Sequence, residues 1–225
     1  MHAPYLDALR ALADPDRATG MRAYHKADRP YLGLTNPQID GAVKEWRAAL
    51  DVPARVDLAD ALWRTDIFEA RVAAAKLLTQ ARLRPDDGPA WELIASWVPY
   101  FDSWAIADHA CIAGQKRLIA DPSRLDTVER WTLSDDLWTR RAALVITLPW
   151  TKQNNPKPEE LAARERILGW AATYAGDPRW FIQKAVGWWL RELGKHDADR
   201  VLAFIDAHGR AMKAFARKEA LKRLK

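Results

Sequence analysis

The sequence predicts an all-α protein, a helical-repeat solenoid of stacked helix pairs, and three observations carry that expectation. Apolar residues recur at spacings of three and four, as in Phe68, Val72, Ala75 and Leu78, and no stretch alternates apolar and polar residues as a half-buried strand would. Prolines stand behind short polar residues, where helices begin, rather than inside helical runs. An aromatic residue, usually followed three positions later by a base, returns at the period of a helix hairpin.

Along the chain, Asp14-Pro15 is the first start signal, and Asn36-Pro37, Asp121-Pro122, Asn155-Pro156 and Asp177-Pro178 repeat it. Each joins a capping side chain to a ring whose φ already suits a first helical turn. Gly176, Gly194 and Gly209 fall where helices should stop. Ordinary helix lengths then give about a dozen helices. The aromatic anchors Phe68, Trp104, Trp138, Phe181 and Phe215 are 36, 34, 43 and 34 residues apart. Arg71, Arg141, Lys184 and Lys218 follow their anchors by three, whereas Trp104 has Ala107 there. Stacked hairpins make a curved slab with a concave inner face, along which such bases would form a stripe. The alternative is that the bases are ordinary solvated helix residues. Phe68, Phe181 and Phe215 read as core, because an aromatic at helical spacing is usually buried.

Composition narrows the function classes. With 225 residues, 49% of them hydrophobic, the chain can bury a core without disulfides or metal, and it reads as one domain, residues 1–225. Cys111 is the one cysteine, which excludes an intramolecular disulfide and a cysteine-rich zinc site and suggests a reducing compartment. His2, His25, His109, His196 and His208 add no ligand spacing, so no metal is expected. No run of eighteen apolar residues exists, and Met1 to Leu12 lack the basic-then-apolar order of a signal peptide. The expectation is a cytoplasmic protein with no membrane partner. There is no Gly-x-Gly pair, P-loop or H-E-x-x-H, so no nucleotide cofactor is expected.

The net charge is +5, but it is local. From Ala207 to Lys225 seven bases stand against Glu219, a net of +6 that leaves −1 for the rest of the chain. Such a distribution supports a nucleic-acid partner only if the tail and upstream bases share a surface; otherwise it is a solvated basic helix. Twelve tryptophans suit either a large helical core or a stacking surface.

One position breaks the repeat. Four residues after the anchors stand Val72, Ala142 and Ala185, with Glu219 in the terminal repeat, but Asp108 follows Trp104. The segment Trp104-Ala-Ile-Ala-Asp108 is otherwise apolar, so the carboxylate either caps or pairs with a neighbouring repeat's arginine, or carries a functional charge.

Several segments are similar to those of one family. Trp104 to Asp108 resembles a W-x-x-x-D catalytic helix, and Trp138 to Ala143 a W-x-x-R-A-A helix. Phe181 to Glu192 resembles F-I-Q-K-A-I-G-W-x-L-R-E, Tyr31-Leu-Gly33 an N-terminal F-L-G turn, and Phe215 to Leu221, loosely, a terminal S-x-R-E-A-L segment. The family is the AlkD-like group of HEAT-repeat DNA glycosylases, and the match spans nearly the whole chain.

The resemblance implies a HEAT-like solenoid with a concave DNA-binding face. It also implies a monofunctional glycosylase that removes cationic alkylated purines, N3-methyladenine or N7-methylguanine, from duplex DNA as a monomer without cofactor. Asp108 would be the catalytic carboxylate, with Trp104 and Trp188 flanking the deoxyribose and backbone, and Arg141 on a phosphate. Tyr24 would face DNA. Arg191 would be a backbone contact or a stacking salt bridge, Lys218 would grip phosphate, and for Lys184 a structural or phosphate role is preferred to a Schiff-base one. Two departures stand out: Ala105 follows the catalytic-helix tryptophan where many members have Asp, with Asp102 lying before it instead, and Asp40 stands where relatives have Arg. The alternative classes are a noncatalytic HEAT-repeat scaffold and a protein that binds DNA structures without excision.

Overall fold

The computed structural model describes residues 2–224, which form thirteen α-helices with short 3-10 turns and contain no strand. Met1, in the segment read for a signal peptide, and Lys225, counted in the basic tail, lie outside the described residues. The chain divides into two compact units, one ending at Ala120 and the other beginning at Asp121. The first holds α1 (Ala3–Arg10), α2 (Pro15–His25), α3 (Asn36–Ala49), α4 (Val52–Arg64), α5 (Phe68–Leu77), α6 (Gly88–Trp97) and α7 (Trp104–Ala120). The second holds α8 (Leu125–Trp131), α9 (Leu137–Val145), α10 (Pro158–Tyr174), α11 (Trp180–Leu193), α12 (Ala198–His208) and α13 (Ala214–Leu221). The five aromatic anchors fall on the first or second residue of α5, α7, α9, α11 and α13, so the repeat in the sequence is one helix pair.

In the first unit α5 is the buried centre, packed against α3, α4 and α7. Ala70, Ala73, Ala74 and Ala75 are fully buried on it. Alanine is the strongest helix former, and its small side chain lets three neighbours close on one axis. Leu58, Leu62, Leu77 and Ile106 complete this core, each fully buried leucine contributing about 2 kcal/mol. The loop between α2 and α3 is held by Glu69, which is completely buried at the start of α5. Its carboxylate accepts the backbone N–H groups of Leu32 at 2.9 Å, Gly33 at 2.7 Å and Leu34 at 3.2 Å. Gly33 has φ +82° and lies so close to the Asp14 carbonyl that a Cβ would collide with it, which accounts for glycine in the Tyr31-Leu-Gly33 turn.

In the second unit α11 touches α9, α10, α12 and α13. Fully buried Gln183 donates to the carbonyls of Tyr174, Ala175 and Asp177 at 2.8–3.1 Å and accepts the Lys213 N–H at 2.9 Å. One amide thus closes the end of α10 and fixes the start of α13. A Cβ on Gly187 would stand 2.8 Å from the Ala216 carbonyl, so this glycine sets how closely α11 and α13 approach.

The start signals need correction in three places. Asp14 caps α2 through the Arg17 N–H, and Asp121 opens a 3-10 turn through Ser123. At α3, however, Thr35 rather than Asn36 is the cap, in a reciprocal pair with Gln38. Helix α10 begins two residues beyond Pro156, where Glu160 takes the Lys157 N–H at 2.8 Å. Asp177 binds the Arg179 N–H and guanidinium, and α11 starts only at Trp180. At α3 the cap therefore stands one residue before the Asn-Pro pair, whereas at α10 and α11 the helix starts beyond the pair and the proline lies in the approach to it. Phe68 is core, as expected, but Phe215 is 37% exposed and stacks beside Trp180 in a groove.

Candidate functional site

In the first unit the end of α2 and the starts of α5 and α7 enclose a crevice of about 180 Å³, lined by Asp108, Trp104, His25, His109, Phe68 and Asn36 among others. Trp104 and Asp108 stand one helical turn apart on α7, so both project over the same side. The indole is braced by Tyr24, edge-on at 5.9 Å, and by His25 at 5.4 Å; His25 is itself stacked on Phe68 at 4.5 Å. Tyr24 is 70% exposed and offers its ring to whatever approaches Trp104. Asp108 is partly buried and is the one acid among the lining residues.

Burial favours the neutral form of both imidazoles of the crevice. Burial pushes His109 down to about 4, helped by Lys76 and opposed by Asp108 and Asp40; burial also lowers His25. Carboxylate character in the crevice therefore rests on Asp108 without a histidinium lining it. Asp102, the other acid near Trp104, is turned to the buried Arg29, whose guanidinium also binds Asp66 at 3.1 Å. Asp40 accepts Lys76 Nζ at 2.6 Å.

In the second unit Lys184, Trp188 and Arg191 of α11 and Lys218 of α13 line one groove of about 850 Å³. Trp180, Lys184, Trp188 and Arg191 repeat at four, four and three residues, the spacing of a single helix face. Lys184 and Lys218 are exposed and Trp188 is partly buried. Arg191 is ion-paired with Glu219 across the two helices and with Glu192 at 2.9 Å. Arg141 on α9 lies outside this group: it is only 3% exposed, with its guanidinium carbon 5.9 Å from the Trp138 ring centre. The expected row of exposed bases is also interrupted at Arg71, which lies over the Trp63 ring at 4.6 Å and pairs with Asp66 at 2.8 Å. An aromatic face and an acid within reach draw that guanidinium in.

Among the described residues no group of three His, Cys, Asp or Glu is placed to hold a metal, and no helix is long and apolar enough to cross a membrane.

The family model for DNA alkylation repair enzymes matches residues 5–224. The chain belongs to that family. Among solved structures, the DNA alkylation repair fold of this chain is similar to a protein of Enterococcus faecalis described as a predicted DNA alkylation repair enzyme, with 20% identity and a TM-score of 0.77 over 94% of this chain and 96% of the other. It is also similar to AlkD2 of Streptococcus mutans, at 19% identity and a TM-score of 0.60 over 85% and 91% of the two chains. No curated protein sequence matches significantly.

In the sequence of this DNA alkylation repair protein, His25 and His109 were weighed only as metal ligands, and Trp180 was given no role. Each adjoins a residue that was singled out, respectively Tyr24, Asp108 and Phe181. For Trp180 the four-residue spacing to Lys184 and Trp188 was the available signal.

Proposed function

We propose that this protein is a monofunctional DNA glycosylase of the HEAT-repeat type that hydrolyses the N-glycosidic bond of N3-methyladenine or N7-methylguanine in duplex DNA and leaves an abasic site. One observation carries the reading: an acid, Asp108, stands one turn from a braced indole in a crevice where burial disfavours charge on the neighbouring histidines.

The chemistry asks for little else. An alkylated purine of this class is a cationic leaving group, so the bond from C1′ breaks with its electron pair going to the base, which departs neutral. Positive charge then develops on the sugar, and a fixed carboxylate stabilises it without reorganisation. Asp108 also orients the water that adds to C1′, and its carboxylate takes the proton that water gives up. The Trp104 face attracts the cationic sugar and excludes bulk water, while Tyr24 extends that face. Neutral His109 and His25 matter here, because an imidazolium in the crevice would repel the same cation. Lys184 and Lys218 grip phosphate, and Trp188 offers its indole to the backbone they hold, within the groove of the second unit. The family resemblance assigns Arg141 a phosphate, but its burial beside Trp138 favours a packing role, and Arg191, tied to Glu219, shapes the groove.

The test uses duplex DNA carrying N7-methylguanine, with base release followed for the wild type and Asp108→Asn. The wild type should release the base and the variant should be slower by a factor on the order of 100 or more. Equal release by both removes Asp108 from the mechanism; no release by the wild type removes the glycosylase reading.

A further inference from the structure

The groove between α11 and α13 carries a feature that phosphate grip does not require. Trp180 is 49% exposed and its ring is stacked on that of Phe215, 37% exposed, with centroids 5.7 Å apart and planes 27° apart. Lys184 Nζ sits 4.7 Å from the Trp180 ring centre. Leaving two flat apolar rings in water is unfavourable unless something covers them. The surrounding charge says what kind of molecule does. The groove's acid, Glu219, is taken by Arg191 and lies 4.0 Å from Lys222, whereas Lys184 and Lys218 have no carboxylate partner among the described residues. The occupant is therefore anionic along its length and flat where it meets the rings.

A paired duplex presents phosphates to lysines but keeps its bases stacked inside, out of reach of an indole. Unpaired nucleotides present both, and aromatic platforms beside a basic track are how proteins hold them. From this we infer that the groove binds unpaired nucleotides, a base extending the Trp180–Phe215 stack while its phosphates lie along Lys184 and Lys218. This inference rests on the DNA-binding part of the function proposed above and is independent of excision at Asp108.

Fluorescence anisotropy with a labelled octathymidylate, an abasic oligomer of equal length and charge, and a duplex of the same length tests it. The base-bearing strand should bind the wild type on the order of tenfold more tightly than the abasic one. Trp180→Ala with Phe215→Ala should abolish that preference while leaving binding salt-sensitive, and Trp180→Phe should restore most of it. Circular dichroism melting of each variant confirms that the helices persist. Equal affinity of the wild type for the two single strands overturns the inference, as does displacement of octathymidylate by poly-glutamate of matched charge. Duplex binding without single-strand preference defeats this inference alone; absence of binding to every oligomer defeats the DNA-binding reading with it.

Discussion

His109 follows Asp108 directly on α7, and its imidazole is held down to about 4 chiefly by burial, with Lys76 adding to the effect. The unfolded chain takes up that proton near the ordinary value of 6.5, so the folded state binds fewer protons throughout the interval between the two values. Stability from this group is complete above 6.5 and is lost as the pH falls toward 4. Between pH 6.5 and about pH 5 the loss is about 2 kcal/mol. Thermal melting across that window should show a clear decline for the wild type and a shallower one for His109→Phe, with His25 supplying the remaining slope in the same direction. Parallel slopes in the two proteins would mean that His109 is not buried as described. Asp108 itself was legible in the sequence, since it stands at a repeated position at the end of the apolar segment Trp104 to Ala107. The neutral histidines were not, because their state depends on how α2, α5 and α7 close around them, and no local pattern encodes that.

Two helix junctions depend on single buried polar or missing side chains. Glu69 holds three consecutive N–H groups of the loop after α2, and replacement by alanine leaves all three buried without an acceptor. Glu69→Ala should cost about 3 kcal/mol or more in denaturant unfolding, with Glu69→Gln losing less because one acceptor oxygen remains. A Cβ at position 187 meets the Ala216 backbone 2.8 Å away, so Gly187→Ala must push α13 off α11. That variant should lose about 1–3 kcal/mol by overpacking and should weaken any ligand of the groove these helices form. Unchanged melting of Gly187→Ala would show that the two helices separate freely. At this scale the sequence was informative about what repeats: the anchors mark every second helix from α5 to α13. It was less informative about where helices start: Thr35 caps α3 from before its Asn-Pro pair, while α10 and α11 begin beyond theirs, and the contacts that set these starts are not contained in a dipeptide signal. Glu69 and Gln183 look like ordinary surface residues in sequence, and only the arrival of distant backbone groups makes them structural.

Over the whole chain, the +6 carried by residues from Ala207 onward means that polyanion affinity is concentrated rather than spread. Bases elsewhere are largely engaged: Arg29 with Asp66 and Asp102, Arg71 with Asp66, Arg164 with Asp197, Arg166 with Glu129, and Arg200 with Glu165. A guanidinium held by a carboxylate neutralises no phosphate and so releases none of the counterions condensed on DNA, and it adds little to the salt dependence of binding. Lys184 and Lys218, exposed and with no acid partner among the described residues, should each add about one to the slope of log affinity against log salt. Titrating duplex DNA at several salt concentrations should therefore show the slope falling by about two in Lys184→Ala with Lys218→Ala, and staying the same in Arg71→Ala even if that variant is less stable. Net charge alone predicts equal effects for every base removed, so a slope reduced as much by Arg71→Ala as by a lysine change would place the electrostatic grip in overall charge. A slope lost only with the two lysines places it on the aromatic groove of α11 and α13, where the exposed rings already lie.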